Sequence, residues 1–392
     1  MSVRFLILIT SFQLILGCLA TTAAMAQILG EGLPPEPGDA LGSPDSTYSL
    51  ENLGESTFGG AIPENRFLLR HQGRLFGLRF LSNSMDMAVD YGPDSALRGD
   101  PYWDEYGLGT YYTALGGSPS VNQIWHTNFT NGEHRQITDG RCITGVGGLT
   151  RAMKCVYAGP IASSVNRMAF VQEIFDYDPD ATDAQIPESV QKQIVVGANG
   201  TLRSVRYEES PPDHMDWSPD GQWLVYAAKG ILNVLVLVDP DTVAVKHCPL
   251  WDDVQTQIRH PEWAWDGGLW IVYETANDIW RVPVQKPRGK GTCPTLQLNR
   301  AEQLTDSGYE DSRPQWMNFN NWIVFGSRRP LDPADTSSVR RLWAVEPGGN
   351  DPAAVVFMPF SLEGADWQRV RETPAEQKKK DAIRNARGQG GI

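Results

Sequence analysis

Little in this chain supplies the usual hardware of catalysis. Its six histidines (His71, His126, His134, His214, His247 and His260) are scattered, and none stands in the His-x-x-x-His or His-x-His spacing that gathers zinc ligands. Five cysteines form no Cys-x-x-Cys pair, which removes thioredoxin-like redox chemistry and haem attachment. No Gly-x-Ser-x-Gly elbow and no Gly-x-x-x-x-Gly-Lys loop occurs, so a serine hydrolase of the α/β type and a P-loop phosphate site are both absent. After Leu19 no apolar run is long enough to span a bilayer. The formal charge of −13 argues against nucleic acid as a partner. These absences leave enzyme status open and tip the reading away from it.

What the chain does contain is a repeat. Met215-Asp-Trp-Ser-Pro-Asp-Gly-Gln-Trp-Leu-Val-Tyr226 has degenerate copies opening at Trp263 and Trp316 downstream and at Trp103 upstream, with a last, unfinished one at Trp367. The closing aromatic follows the first Trp by nine residues at Tyr112, Tyr226 and Phe325, and by ten at Tyr273. Pro219 with Asp220-Gly221 predicts a two-residue hairpin turn, and the β-branched and aromatic residues on either side predict buried strands. Further apolar runs, such as Asp278 to Val282 and Arg341 to Val345, follow each hairpin, and a fourth precedes the next Trp. Four strands per unit, repeated radially, make a β-propeller blade.

The Trp spacing sets the expected number of blades. Intervals of 46, 53 and 51 residues separate Trp217, Trp263, Trp316 and Trp367, and the 114 residues from Trp103 to Trp217 make two units. A divergent blade without the Trp therefore lies between about 142 and 208, giving five complete blades. The lone strand at Trp367 and three N-terminal runs (Arg66 to Leu69, Arg74 to Leu81, Met87 to Val89) make up a sixth. The expected fold is all-β: a six-bladed propeller of four-stranded antiparallel blades, its ring closed by pairing the chain's ends so that no sheet edge is exposed.

Trp217-Ser-Pro-Asp-Gly221, with Arg341-Leu-Trp-Ala-Val-Glu-Pro-Gly-Gly349 and Arg135-Gln-Ile-Thr-Asp-Gly140, resembles the WD40-like repeat of TolB-type propellers, over roughly residues 61 to 370. The Gly-His and Trp-Asp pairs of true WD40 repeats are missing. The resemblance implies an exported propeller. Related families use the scaffold both for periplasmic interactions and for gating peptidases, so the fold does not name an activity.

The ends read as export and tether. Arg4 followed by apolar Phe5 to Leu16 predicts a signal segment, with Ala24-Met25-Ala26 as an ordinary cleavage site (signal 1–26). Ile15-Leu-Gly-Cys18 alternatively forms a lipobox in which Cys18 is lipidated (signal 1–17). Residues 27–60 are a Pro/Gly/Ser-rich linker, 61–370 the propeller, and 371–392 a flexible tail carrying Lys378-Lys379-Lys380. Cys142, Cys155, Cys248 and Cys293 remain as an even number, suited to disulfides outside the cytoplasm; the blade layout favours 142 with 155 and 248 with 293.

Two acidic patterns are candidate sites. Asp176, Asp178, Asp180 and Asp183 space carboxylates as a calcium loop does, but Ala181 and Pro187 occupy positions where such a loop carries Gly and Glu. Asp216, Glu262 and Asp366 each precede a repeat Trp, and Asp311 lies shortly before another, so these acids are expected at one mouth of the central channel. There they would face a cation or a basic peptide, or else bond to a nearby backbone amide.

The composite expectation is an exported, monomeric scaffold that binds an envelope or secreted protein in the periplasm or at the cell surface. It needs no cofactor, and calcium is the one metal with sequence support. The alternatives are a calcium-dependent hydrolase, such as a lactonase or phosphotriesterase using the channel acids, and a receptor for polysaccharide or a small ligand. Specificity is expected in loops outside the repeat: 176–188, 285–292 and 328–340.

Overall fold

The structure is a computed structural model that describes most residues between 66 and 367. Residues 1–65, 91–100, 177–190, 331–339, 368–392 and several shorter connections lie outside the described residues, and of residues 66–90 only the backbone strands are described. The signal segment, Cys18, the linker and the basic tail therefore fall outside it.

Three strands open the fold: β1 (Arg66–His71), β2 (Arg74–Leu81) and β3 (Ser84–Asp90). Blade 1 follows with β4 (Tyr102–Trp103), β5 (Gly109–Gly116), β6 (Val121–Asn128) and β7 (His134–Gln136). Blade 2 is β8 (Met153–Ser164), β9 (Arg167–Asp176), β10 (Gln191–Ala198) and β11 (Thr201–Tyr207). In blade 3 these are β12 (Met215–Trp217), β13 (Trp223–Ala228), β14 (Ile231–Asp239) and β15 (Ala244–Trp251). Blade 4 has β16 (Arg259–Trp263), β17 (Trp270–Thr275), β18 (Asp278–Gln285), β19 (Thr295–Leu296) and β20 (Glu302–Gln303). Blade 5 is β21 (Ser312–Trp316), β22 (Ile323–Ser327), β23 (Arg341–Val345) and β24 (Ala353–Val356), and β25 (Gly364–Trp367) ends the fold. All the pairings are antiparallel between neighbours in sequence, save that β20 pairs with β18 and β25 with β1.

The expectation of six four-stranded blades is corrected to five blades. Each of the five is built from consecutive strands, and blade 4 has five strands rather than four. Four hydrophobic clusters pack these blades against one another in series. The pieces assigned to a sixth blade form a terminal sheet of order β25-β1-β2-β3, with Trp367 opposite Phe67, whose side chains lie outside the described residues. The reason is that Trp spacing counts only inner strands, and a solitary Trp strand does not say whether a packed unit accompanies it. First strands β4, β8, β12, β16 and β21 lie in series around the axis, and β25 touches both β21 and β4.

The repeat Trp is core. Trp217, Trp263 and Trp316 are buried, and Trp263 packs at 5.6 Å from Trp223 of the preceding blade. Burying such aromatics is the main favourable term in joining blades. The hairpin after Trp217 is wider than a two-residue turn. Ser218 N–H donates to Trp223 O at 2.7 Å, and four residues lie between them. Inside that loop Gly221 N–H donates to Ser218 O, Gly221 takes φ +65°, and the Asp220 carboxylate accepts from the Ser218 hydroxyl and the Gln222 N–H. The Asp side chain thus caps the loop as well as suiting its backbone. In the divergent blade, which lacks the Trp, the inner strand β8 is long and bulged between Ala158 and Ile161.

Two disulfides pin the rim: Cys142 with Cys155, at Cα separation 5.1 Å, and Cys248 with Cys293, at 5.7 Å, the latter joining blades 3 and 4. They enclose 13 and 45 residues of sequence separation. Loop-closure entropy assigns about 3 kcal/mol to the first and about 4 kcal/mol to the second. Replacing Cys248 and Cys293 by Ser is expected to lower the urea midpoint more than replacing Cys142 and Cys155. Parallel urea titrations of the two double variants check this, and the reverse order would mean that local packing outweighs loop length.

Candidate functional site

The acids before the repeat Trp are structural girders between blades. Asp216 Oδ2 accepts the backbone N–H of Trp263 in the next blade at 2.8 Å, and Glu262 Oε1 accepts that of Trp316 at 3.1 Å. Both carboxylates are only 1% exposed. A charged acceptor facing a buried amide is among the stronger hydrogen bonds available to a protein. Asp311, fully buried, takes a 2.6 Å hydrogen bond from Arg329 Nη2, while its own N–H donates to Asn277 O. Asp366 sits on β25 opposite Leu68, and its side chain is outside the described residues. Asp176 ends β9, whereas Asp178, Asp180 and Asp183 fall outside the described residues. Among the described residues no three His, Cys, Asp or Glu side chains gather as a metal site.

Another repeat position reaches the axis instead. His214, His260 and Arg313 each stand three residues before a repeat Trp, at the starting ends of the inner strands of blades 3, 4 and 5. With Tyr102 of blade 1, Pro314 and Gln315 of blade 5 and the exposed Asp213 they line a small axial cavity of about 20 Å³. The rings of Tyr102, His214 and His260 succeed one another around it, with centroids 6.2 and 6.3 Å apart. The pattern was legible in the sequence as His214-Met-Asp-Trp, His260-Pro-Glu-Trp and Arg313-Pro-Gln-Trp. His214 and His260 stand two residues before Asp216 and Glu262, the acids that the sequence pattern makes conspicuous.

Backbone geometry aims these side chains. Register shifts interrupt the ladder between Arg259 and Glu262 and between Ser312 and Gln315, and in each the residue at the repeat position takes a left-handed φ, +45° at His260 and +53° at Arg313. Such φ values cost a non-glycine residue roughly 1 kcal/mol, and persist where surrounding bonds hold them. One carboxylate does so for both. Glu274 Oε2 accepts from His260 Nδ1 at 2.9 Å and from the Arg313 backbone N–H at 3.1 Å. Burial pushes the Glu274 carboxyl upward, but the bond and charge from His260, the Arg313 N–H and the charge of Arg259 outweigh it, leaving its pKa below the ordinary glutamate value.

The same mouth carries a cationic rim. Arg328 pairs with Glu310 at 3.1 Å, Arg340 with Glu310 and Ser312, and the Arg329 guanidinium lies 5.4 Å from the ring of Tyr309, an exposed aromatic. Burial, then the charge of Arg328, hold the Arg340 pKa below the usual arginine value.

A depressed carboxylate pKa contributes stability that is present above the unfolded glutamate pKa and lost as pH falls through the lower folded value. Glu274→Gln is therefore expected to destabilise the propeller by about 1–3 kcal/mol near neutrality, the usual cost of weakening bonds to buried donors. Its gap from the parent protein should close as pH drops through and below the ordinary carboxylate range. Thermal unfolding of both proteins as a function of pH measures it; a gap independent of pH would mean that Glu274 acts through packing alone.

No family model matches the chain, and no curated protein matches it in sequence. Solved structures similar to it include TolB from Acinetobacter baumannii, 13% identical, covering 79% of this chain and 67% of that one, with TM-score 0.49. Hydrazine synthase of Kuenenia stuttgartiensis is 11% identical over 83% of this chain and 48% of that one, at 0.49. Dipeptidyl peptidase 4 of Porphyromonas gingivalis is 12% identical over 77% and 45%, at 0.37. By its own strand topology this chain is an all-β propeller of antiparallel blades, and TolB proteins are among the solved structures similar to it.

Proposed function

We propose that this chain is an exported binding module, a propeller scaffold that engages another envelope protein through the mouth where its inner strands begin. The observation that carries the reading is the concentration of cationic and aromatic groups there. Arg259, Arg313, Arg328, Arg329 and Arg340 gather with exposed Tyr309 at one end of the axis, outnumbering the acids Asp213, Glu274, Glu310 and Asp311 among them, in a chain whose net charge is −13. Arg and Tyr are the residue types that dominate binding energy at protein interfaces, and a localised positive field on an acidic body orients an acidic partner during encounter. The 328–340 connection, expected from sequence to hold specificity, starts and ends at this mouth.

Export belongs to the same proposal. Two disulfides suit an oxidising compartment. The first 26 residues would direct secretion, or Cys18 would be lipidated, with residues 27–60 as the tether. The hydrolase alternative draws no support from the buried Asp216 and Glu262, whose carboxylates are engaged with backbone amides between blades.

Cross-linking of intact envelopes, followed by mass spectrometry, tests the reading. The parent protein is expected to capture one reproducible partner through the mouth. Tyr309→Ala combined with Arg328→Glu is expected to reduce that capture at least tenfold, while Lys246→Glu on an outer strand leaves it unchanged. Equal capture by all three would show that the mouth is not the interface.

A further inference from the structure

We infer that the axial cavity is a receptor for a single carboxylate group, seated between Arg313 and the His214–His260 pair. The inference rests on the binding-module reading only for the ligand's origin, not for the site. Three blades converge on the cavity with groups that carry or can take positive charge: Arg313, which is charged at any physiological pH, and two imidazoles. Asp213 also lines the cavity, but it is exposed, so water screens its opposing charge. Glu274, the other nearby acid, is already bonded to His260 Nδ1 and to the Arg313 N–H. Because Nδ1 donates to that carboxylate, Nε2 is the remaining polar atom of His260, and it becomes a donor to an anion when the ring is protonated.

Size and shape narrow the ligand. A cavity of about 20 Å³ has room for roughly one water-sized group, enough for a carboxylate oxygen and too little for a sugar or nucleobase. The planar fork of Arg313 matches the two oxygens of a carboxylate, with the Tyr102, His214 and His260 rings, tilted by 36° and 53° to one another, succeeding each other around the cavity. Gln315, buried on the same side, adds an amide that can donate. The two left-handed residues, His260 and Arg313, are held before any ligand arrives, so little ordering is required on binding.

The test is an NMR titration of the purified propeller with sodium acetate, following the histidine ring signals, against sodium chloride and sodium phosphate at matched ionic strength and fixed pH near 6.5. Saturable shifts of His214 and His260 with acetate, at least tenfold weaker with phosphate and absent with chloride, are expected. Arg313→Asn is the variant of choice, because Asn tolerates the left-handed backbone better than other polar residues. It should weaken acetate binding at least tenfold with the melting temperature changed little. Arg313→Lys, retaining charge without the planar fork, should fall between. No saturable shift, equal shifts with chloride, or undiminished binding by Arg313→Asn would overturn the proposal. Adding acetate to the envelope cross-linking experiment identifies the source. Loss of partner capture shows a carboxylate of the partner in the cavity, and unchanged capture shows that the site takes a free carboxylate. Failure of the titration with mouth-dependent capture intact would leave the binding-module reading standing alone.

Discussion

The joints between blades 3, 4 and 5 depend on a hydrogen bond that passes from blade to blade. The inner strand of one blade ends in an acid followed by Trp, and the acid reaches over to the N–H of the next blade's Trp, as Asp216 does for Trp263 and Glu262 for Trp316. Inner strands around an axis cannot pair with one another as a continuous sheet, so their outward backbone groups would otherwise be buried without partners. The acid supplies the acceptor, and the neighbouring indole fills the wedge between the blades. One dipeptide thus satisfies a polar requirement and an apolar one at the same joint, which is why it recurs where much of the surrounding sequence does not.

Glu274 extends this logic to the mouth. Its carboxylate accepts one hydrogen bond from His260 Nδ1 in its own blade and one from the Arg313 N–H in the next, so the conformations of two axial residues in adjoining blades depend on one side chain. Electrostatics, packing and backbone strain meet at that atom. A change at Glu274 therefore propagates to both cavity residues without altering either directly.

The sequence made the repeat legible because indole and closing aromatic sit on paired strands at fixed spacing, Met215 opposite Tyr226 and Trp217 opposite Leu224. It also favoured the two cysteine pairs, since blade order leaves few partners within reach. Other features were not legible for definite reasons. The acids looked like a channel lining because alternation along a strand does not tell which face a bulge will turn inward. The bulges at His260 and Arg313 have no glycine to announce them, and depend on a carboxylate on a different strand. The number of blades was not legible where the repeat dwindles to Trp367 alone, because one Trp marks a strand without defining the unit around it.

The pairing of Phe67 with Trp367 joins positions 300 apart in the chain. Contacts of such separation form late, since the entropy of closing the intervening chain must be met before the ladder contributes anything. The hairpins within each blade, by contrast, close over a few residues. A chain emerging in order from its N-terminus would therefore hold β1 with an unpaired edge until the last blade had been made. The molecule's aggregation hazard is then a matter of timing, concentrated in the interval before residues 364–367 arrive to cover that edge.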